Sequence, residues 1–449
     1  MRGIGESMKK MISTILAAFL FSFGVISVSA TSNDLGSEVL QPKDGWASFG
    51  NGTTGGAKAD EKHIFTVTNK SELIEALGGD NKSNGKNDTP KIIYVKGTIE
   101  LNVDENNNPI GPEYYAEGTG YDFEEYLKAY NPEKWGYEKE VEGELEDARA
   151  EAQKKQKEQI VINIGSNTSI IGIDNDAKII GGSLNLSGVK NIIIRNIEFE
   201  APRDFFPQWD PTDGDYGEWN SEYDNISITN NTENVWIDHC TFTDGENTDA
   251  SFGKYFGRTY QQHDGLLDVT NGASYVTISY NKFEDHDKVM LIGSSDSKTT
   301  DKDRLKVTVH HNYFKDVTQR LPRVRYGEVH IYNNYYEYTN DSEYLFDYAF
   351  GVGAESKIYA ENNYFNFSYD VDPSQIIRYW KGTSIYEDGS FVNGKGKGSR
   401  VDLVKAHNQG NDAQLNENVG WKPSLYTKIQ PTQAVPANVK AKAGAGKIK

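Results

Sequence analysis

A short pattern recurs through the middle of the chain and limits what the chain can fold into. It reads β-branched residue, any residue, β-branched residue, two further residues, Asn, any residue and an aromatic residue. Strict alternation in segments this short predicts strands rather than helices. The copies are residues 276–283, 307–314, 329–336 and 358–365 (with Ala360 at the third place), and looser copies are residues 192–199 and 235–242.

The spacing of the copies selects the type of β fold. Their terminal aromatic residues are 43, 41, 31, 22 and 29 residues apart. A spacing of 22 residues is too short for a strand plus a packed crossover helix, so it argues against a doubly wound sheet. It fits one coil of a β-helix, in which three short strands and three turns stack on the next coil. We therefore predict an all-β fold, a right-handed single-stranded parallel β-helix with loop and short helical insertions.

The recurring asparagines, Asn281, Asn312, Asn334 and Asn363, predict a structural device. They fall where the chain is expected to turn, and Asn tolerates left-handed backbone angles. Amides stacked on successive coils can also hydrogen-bond along the axis. We expect a buried asparagine ladder, with the aromatic side chains two residues later stacked in or over the core.

The ends of the chain and one insertion differ from the repeats. Lys9 and Lys10 precede an apolar run and the small residues Val28-Ser29-Ala30, which predicts a secretory signal peptide at 1–30, with translation starting at Met1 or Met8. We expect residues 31–449 to form a single β-helix domain. Within it we predict an acidic, partly helical insertion at 102–158, with helices near 121–129 and 145–159, and an extended C-terminal tail at 431–449.

Charge and cysteine usage exclude several classes of function. The net charge of −19 argues against nucleic acid or an anionic membrane as a partner. Residues 104–158 hold 16 acidic and 7 basic side chains, so nearly half of the excess negative charge lies there and a basic site elsewhere is possible. Cys240 is the single cysteine, so the chain has no internal disulfide, and its strand-like context predicts a small buried side chain. We expect a secreted, extracellular monomer.

Three aspartates are candidate metal ligands. Asp264 and Asp268 are four residues apart, a spacing that puts both side chains on one face of an extended strand. Asp224 precedes a predicted strand one or two coils earlier, so stacking would bring it near that pair. Three such carboxylates repel one another unless a cation joins them, and oxygen ligands favour Ca²⁺. Asp pairs are also common on acidic surfaces, so spacing alone leaves both interpretations open. Glu222 is a further candidate ligand.

Cationic side chains are concentrated in the next two predicted coils. Arg binds carboxylates in a rigid fork and Lys acts as a point charge, which suits a substrate with a carboxylate on every sugar. Surface ion pairs on an acidic protein are the alternative. The cations are Lys288, Arg320, Arg323 and Arg325. We expect His239 to brace the turn beneath the aspartates and assign hydrogen-bonding roles near the cleft to His263, His286, His310 and His311. Trp209, Trp219 and Trp236 pack loops or stack on sugar.

Three blocks in this order resemble the family 1 polysaccharide lyases, in particular the extracellular pectate lyases of Bacillus type. The blocks are VWIDHCTFTDG (235–245), QQHDGLLDV (261–269) and RLPRVRYG (320–327). The resemblance extends over essentially the whole mature chain, from GWASFGNGTTGGAKAD (45–60) through FFPQWDPTDG (205–214) to PANVKAKAGAG (436–446).

The resemblance implies a calcium-dependent β-elimination of polygalacturonate. Asp224, Asp264 and Asp268 match the calcium-binding aspartates of the family. Lys288 and Arg325 match residues that hold the substrate carboxylates, and Arg320 matches the Brønsted base that removes the C5 proton. The products would be 4,5-unsaturated oligogalacturonides. Because guanidinium titrates at high pH, an arginine base implies an alkaline optimum.

Three other functions remain as alternatives. A polygalacturonase-type hydrolase would need an acid and a base carboxylate and no metal, which leaves the Arg-rich block without a role. A pectin lyase acting on the neutral methyl ester should lack the aspartate set. A non-catalytic β-helix carbohydrate-binding protein would not require Asp, Lys and Arg to gather at one place.

Overall fold

The chain winds as a stack of coils that build three parallel sheets. The computed structural model describes residues 34–393 and 399–448, so the predicted signal peptide lies outside the described residues. Strands are numbered here along the chain. The first sheet consists of β1 (Ile64–Val67), β2 (Lys91–Val95), β5 (Thr168–Gly172), β8 (Lys190–Arg195), β13 (Glu233–Asp238), β18 (Ser274–Ser279), β21 (Lys306–His310), β24 (Glu328–Tyr332), β27 (Lys357–Glu361) and β30 (Ile385–Asp388).

Each coil passes from the first sheet to the second and third before returning one layer further along. The second sheet consists of β3 (Thr98–Glu100), β6 (Lys178–Ile180), β9 (Glu198–Glu200), β14 (Thr241–Thr243), β19 (Lys282–Lys288), β22 (Tyr313–Gln319), β25 (Tyr335–Tyr338), β28 (Tyr364–Phe367) and β31 (Phe391–Val392). The third consists of β4 (Val161–Asn163), β7 (Ser183–Ser187), β12 (Ile226–Thr229), β17 (Leu267–Val269), β20 (Leu291–Ile292), β23 (Arg323–Val324), β26 (Phe350–Gly353) and β29 (Ile377–Trp380). Spatial order follows chain order in every sheet, which confirms the predicted right-handed parallel β-helix.

Two small antiparallel hairpins lie outside the coils. One pairs β10 (Gln208–Asp210) with β11 (Glu218–Asn220), and the other pairs β15 (Lys254–Tyr255) with β16 (Arg258–Thr259). Trp209 and Trp219 of the first hairpin are buried in an aromatic cluster with Tyr126. These two tryptophans therefore pack a loop, which was one of the two roles predicted for them.

The interior repeats the same residue type in successive coils. Parallel register sets Val235, Val276, Val307, Val329 and Ile358 in one buried row. The repeat aromatics form the predicted stack, in which neighbouring ring centroids lie 4.3 to 5.1 Å apart. The stacked residues are Phe199, Phe242, Phe283, Phe314, Tyr336 and Phe365.

The asparagine ladder is present and fully buried. The Asn312 side-chain oxygen accepts from the backbone N–H of Asn281 at 2.9 Å and from its amide at 3.1 Å. The backbone N–H and the side-chain amide of Asn312 donate in turn to the side-chain oxygen of Asn334. The same two groups of Asn334 donate to the side-chain oxygen of Asn363. Cys240 occupies the same place one coil earlier and donates its N–H to Asn281, so it is the small buried residue predicted.

One part of the ladder prediction was wrong. The left-handed residue in each repeat is the one before the ladder asparagine, not the asparagine itself. The residues with positive φ are Tyr280 (50°), His311 (55°), Asn333 (53°) and Asn362 (50°). The side chain of each ladder asparagine therefore contributes hydrogen bonds only, and the residue before it makes the left-handed turn.

Helices pack at the ends of the solenoid and along one of its sides. They are α1 (Lys70–Leu77), α2 (Asn81–Asn84), α3 (Pro112–Ala116), α4 (Phe123–Ala129), α5 (Pro132–Trp135), α6 (Glu144–Ile160), α7 (Leu403–Gly410) and α8 (Val435–Lys442). α1 and α7 add Leu73, Leu77, Leu403 and Val404 to the core. α4 and α6 confirm the two helices predicted near 121–129 and 145–159.

The C-terminal tail is not simply extended, as we predicted for residues 431–449. Pro436 near the start of α8 is compatible with a helix, because the first turn needs no intrahelical N–H bonds. Val435 and Val439 of this helix pack on Tyr335. Beyond the helix, the N–H of Ala445 donates to Thr241 and the N–H of Gly446 donates to Asn196. Among the described residues, no helix is both long enough and apolar enough to cross a membrane.

Replacing one ladder residue should weaken the whole stack. We expect Asn312→Leu, which keeps the volume similar, to leave two buried donors of Asn281 without an acceptor and to lower the free energy of unfolding by roughly 3 kcal/mol. Urea denaturation at neutral pH measures the change. Asn106→Ala, at an exposed loop position, is the control and should behave as the wild type. Equal midpoints for Asn312→Leu and the wild type would contradict the prediction.

Candidate active site

The predicted site residues lie at the turns that enter and leave the third sheet. Asp224 lies two residues before β12 and Asp264 three residues before β17, which contains Asp268. Lys288 ends β19. Arg320 follows β22, and Arg325 follows β23. The six residues lie on adjacent coils, although they span about a hundred positions of sequence.

Asp224 and Asp268 converge on Gly265. The parallel pairing of β12 with β17 sets Ser227 opposite Asp268, so Asp224 comes level with Gly265. Asp224 Oδ1 accepts the N–H of Gly265 at 3.1 Å. A Cβ at Gly265 would lie 2.7 Å from Oδ1 of both aspartates, so glycine leaves the space in which the two carboxylates approach each other. The expected stacking of Asp224 on the later pair is confirmed.

These carboxylates are held together at an electrostatic cost. Burial raises the pKa of Asp224 well above its usual value, and repulsion by Asp268 and Asp264 raises it further. Burial and repulsion by Asp264 likewise raise the pKa of Asp268, although a hydrogen bond of 2.8 Å from the N–H of Leu291 lowers it. Carboxylates this close favour a bound cation, and the all-oxygen donor set fits a hard divalent ion.

Asp264 is placed differently from our expectation. Only Asp268 belongs to a strand, and Asp264 precedes it, so the pair is not carried by one strand as we predicted, although Asp264 is near enough to raise the pKa of Asp268. The Oδ1 atom of Asp264 lies 3.4 Å from Nζ of Lys288, whose side chain is 10 % exposed. Lys288 therefore lies at the edge of the carboxylate group.

Arg320 lies beside the same carboxylates. Its φ of 60° is left-handed, and its backbone carbonyl oxygen accepts the N–H of Met290 at 2.9 Å. Its Nε is buried and without a hydrogen-bond partner in the described part of the protein. Burial opposes the charge of the guanidinium, but Asp264 and Asp268 together raise the pKa of Arg320 above its usual value.

Arg325 is held in a fixed orientation by the protein. Its Nε donates to Asp296 at 2.7 Å, and its Nη1 donates to the backbone oxygens of Gly293 at 2.8 Å and Ser294 at 3.3 Å. Lys381 also donates to Asp296 at 2.7 Å. The sequence analysis missed Asp296, because nothing in its local pattern marks it as the partner of an arginine 29 residues away.

Arg323, the remaining cation of this group, is stacked on an aromatic ring. Its guanidinium carbon lies 4.1 Å from the ring centroid of Trp380, two coils further along. Burial and the neighbouring Arg325 lower the pKa of Arg323 to about 10. The fourth predicted cation therefore contributes positive charge and holds Trp380, another residue that the sequence analysis did not identify.

A buried imidazolium supports the segment that bears Asp264. Nδ1 of His286 donates to Asp244 at 2.5 Å, and Nε2 donates to the backbone oxygens of Asp264 at 2.8 Å and Lys288 at 3.0 Å. All three partners are acceptors, so both ring nitrogens carry a proton. Burial would lower the pKa of His286, but Asp244 raises it to about 9. The predicted hydrogen-bonding role of His286 is confirmed, and Asp244 is a partner that the sequence analysis missed.

A second group of buried ligands lies next to this histidine. Asp244, Asp249 and His263 each offer one ligand atom, and these atoms lie within 4.8 Å of one another, so the group is able to hold a metal ion. Asp244 and His263 are already engaged in hydrogen bonds, whereas Oδ1 of Asp249 is buried and has no partner among the described residues. Asp244 also accepts from the hydroxyl of Tyr344 at 2.5 Å. Both ring nitrogens of His263 face backbone oxygens, at 3.1 and 2.7 Å.

Other candidate residues lie elsewhere. Glu222, the further candidate ligand, forms an ion pair of 2.9 Å with Lys157. His239 does not brace the aspartates as we predicted, because it directly follows the first-sheet strand β13 and stacks on Tyr280.

The remaining predicted residues also contact the first sheet. His310 and His311 are hydrogen-bonded to each other there and do not line the cleft. Trp236 packs against Arg195, so its role is in packing rather than in sugar binding. The first sheet thus holds a separate group of aromatic and imidazole side chains.

Comparison with known proteins places this geometry in a family. The family model described as pectate lyase matches residues 138–448. A pectate lyase of Bacillus subtilis is 47 % identical over 98 % of this chain and 100 % of its own length. Pectate lyase A of Dickeya chrysanthemi is 33 % identical over 100 % of this chain and 98 % of its own length.

Solved structures of pectate lyases are also similar to this chain over most of its length. A thermostable pectate lyase superposes with a TM-score of 0.90 at 58 % identity and covers 93 % of this chain and 100 % of its own. A pectate lyase bound to a hexasaccharide gives 0.86 at 46 % identity with the same coverage.

Removing the buried imidazolium should destabilise the protein. We expect His286→Ala to lower the free energy of unfolding by about 3 to 5 kcal/mol, because Asp244 would remain charged and buried without its cationic partner. Thermal and urea denaturation at pH 7 measure the loss. His63→Ala is a matched control, since His63 pairs with Asp60 at 2.6 Å on the surface and should matter little. Equal losses in the two variants would contradict the assignment.

Proposed function

The chain belongs to the pectate lyase family and is a lyase, and from this premise we propose that it cleaves α-1,4-linked polygalacturonate by calcium-assisted β-elimination. The observation that carries the proposal is the convergence of Asp224 and Asp268 on Gly265, with Lys288 and Arg320 close by. With the leader-like sequence at 1–30, we further propose a secreted, extracellular enzyme that acts as a monomer.

The three aspartates fit a calcium ion by their chemistry. Asp224, Asp264 and Asp268 supply carboxylate oxygens only, and burial together with mutual repulsion raises the pKa of Asp224 and Asp268, so a cation among them would be stabilising. When bound, Ca²⁺ supplies positive charge that neutralises these carboxylates and that of the substrate. This site is preferred to the Asp244 group, whose oxygens already accept hydrogen bonds from His286 and Tyr344.

The protein's own cations bind and orient the substrate. Arg325 presents a guanidinium whose direction is fixed by Asp296 and Gly293, so a sugar carboxylate meets a preformed partner. Lys288 adds a point charge beside Asp264. Such fixed charges stabilise the negative charge that develops on the sugar carboxylate as the neighbouring carbon loses its proton.

Arg320 is the proposed base. In its neutral form the guanidine accepts the proton from C5 of the sugar, and the electron pair of that C–H bond forms the C4–C5 double bond while the C4–O bond breaks, the departing oxygen taking its pair of electrons and a proton from solvent. The products are an oligosaccharide with a new reducing end and one with a 4,5-unsaturated terminal sugar. A hydrolase would need a carboxylic acid and a carboxylate on either side of the scissile bond, whereas Asp224 and Asp268 here both approach Gly265.

Polygalacturonate incubated with the protein at alkaline pH should gain ultraviolet absorbance. Elimination creates a double bond conjugated to the carboxylate, and hydrolysis does not. We expect the absorbance to rise with added Ca²⁺ and to stop when a chelator is added. Asp268→Asn should need a higher Ca²⁺ concentration for half-maximal rate, and Asp104→Asn, in the exposed loop of the insertion, should not. New reducing ends without absorbance would identify a hydrolase, and neither signal would indicate a non-catalytic carbohydrate-binding protein.

The rate should increase with pH as Arg320 loses its proton. The pKa of Arg320 is raised, so the neutral base is scarce at neutral pH and each step towards alkaline pH increases its fraction. We expect Arg320→Ala to lower kcat about 10²- to 10⁴-fold. Arg320→Lys should lower kcat as well but should move the rising part of the pH–rate profile to lower pH, because an amine titrates below a guanidine. An unchanged profile for Arg320→Lys would exclude Arg320 as the base.

A further inference from the structure

Helix α6, at the end of the acidic insertion, is hydrogen-bonded to the segment that follows β9. Gln156 donates from Nε2 to the backbone oxygen of Arg203 at 2.7 Å and accepts the N–H of Phe205 at 3.0 Å. Arg149 donates from Nη1 to the backbone oxygen of Phe206 at 2.7 Å. Gln156 and Arg149 are both buried, so this face of α6 belongs to the interior of the protein.

Asp204 joins α6 to both segments that carry the proposed calcium ligands. Its Oδ2 accepts from Nε2 of Gln153, on α6, at 2.6 Å and from the N–H of Glu222 at 3.1 Å. Its own N–H donates to the backbone oxygen of Gln262 at 2.7 Å. Glu222 and Gln262 each precede one of the proposed calcium-binding aspartates by two residues. Asp204 is fully buried, so these contacts fix the two segments relative to the helix.

A second contact connects α6 to the residue directly before Asp224. The hydroxyl of Tyr223 donates to the backbone oxygen of Gln153 at 2.8 Å, and the Tyr223 side chain is buried. Gln153 is therefore linked to the Asp224 segment twice, once through its backbone oxygen and once through Asp204.

The carboxylate group needs such contacts because its members repel one another. Burial raises the pKa of Asp224, and repulsion by Asp268 and Asp264 raises it further. In the absence of a cation this repulsion favours a wider separation of the segments. Hydrogen bonds to α6 oppose the separation before an ion arrives, and ligands already held in place lose less free energy when they bind.

We propose that Gln153 and Tyr223 are positioning residues of the proposed calcium site, and that the insertion, through α6, sets the affinity of this site for calcium. The inference rests on the proposed function and gives the insertion a role beyond packing. Groups that orient the ligands of a metal without binding it typically change the metal affinity about 10- to 100-fold when they are removed.

The test measures Ca²⁺ binding to the full chain by isothermal titration calorimetry, without substrate, after metal is removed with a chelator. At pH 8 Asp204 is ionised, because burial raises its pKa only to about 6. We expect Gln153→Leu, a neutral change of similar volume that removes the bond to Asp204, to raise the Kd for Ca²⁺ about tenfold. Tyr223→Phe removes only a hydroxyl and should give a smaller increase, so it replaces Gln153→Leu if that variant folds poorly. At saturating Ca²⁺ both should keep kcat within about twofold of the wild type, since no reacting group is changed.

Gln159→Leu is the matched control, because it makes the same substitution on the same helix. Gln159 donates to the backbone oxygen of Val103, in the insertion itself, at 2.5 Å, so this variant loses a hydrogen bond and should bind Ca²⁺ as the wild type does. An unchanged Kd in Gln153→Leu and Tyr223→Phe, an equal increase in Gln159→Leu, or a kcat that stays low at saturating Ca²⁺ would overturn the positioning role.

Failure of the proposed function gives a different result. No Ca²⁺ binding by the wild type would overturn the proposed calcium site and this inference with it. Ca²⁺ binding by the wild type without ultraviolet absorbance from polygalacturonate would overturn the proposed reaction alone.

Discussion

The structure depends on hydrogen bonds that join each coil to the next in a single register. The interior holds one free cysteine and no disulfide among the described residues, so nothing covalent fixes the stack. The buried ladder supplies that constraint, because Asn312 accepts two bonds from Asn281 and donates two to Asn334. A coil that slipped by one residue would leave several buried amides unpaired, a cost that apolar packing alone does not impose.

The same register builds the proposed active site. Ser227 pairs with Asp268, and this register places Asp224 opposite Gly265 independently of the Asp224 side chain. Burial and mutual repulsion both raise the pKa of Asp224 and Asp268, and the stack holds the carboxylates in place. The network of His286 and Asp244 braces the same segment from inside the solenoid. The energy that keeps the charges close is thus supplied by the fold as a whole.

The sequence analysis predicted the structural features that recur as a residue pattern and missed those that no repeated residue type marks. Alternation and the 22-residue spacing led to the β-helix, and the asparagines and aromatics led to the ladder and the stack. The left-handed turn residue escaped notice because it varies between Tyr280, His311 and Asn333, so only the backbone reveals it. Asp296 was missed for a related reason, since its partner Arg325 lies on another coil and a single strand carries no trace of that contact. Spacing and charge made the six site residues candidates, their individual roles came from the family resemblance, and Asp264 precedes the strand on which spacing placed it.

The electrostatics of Arg320 link the proposed base to the proposed metal site. Asp264 and Asp268 raise its pKa, which is the opposite of what a base in its neutral form requires. Once those carboxylates are neutralised, the interaction that favours the guanidinium is lost, while the burial that disfavours it remains. In the proposed mechanism a cation is therefore needed for more than holding the substrate, because without it the base stays protonated. The proposed dependence on calcium and the expected preference for alkaline pH then have one physical origin, the charge of the buried carboxylates beside Arg320.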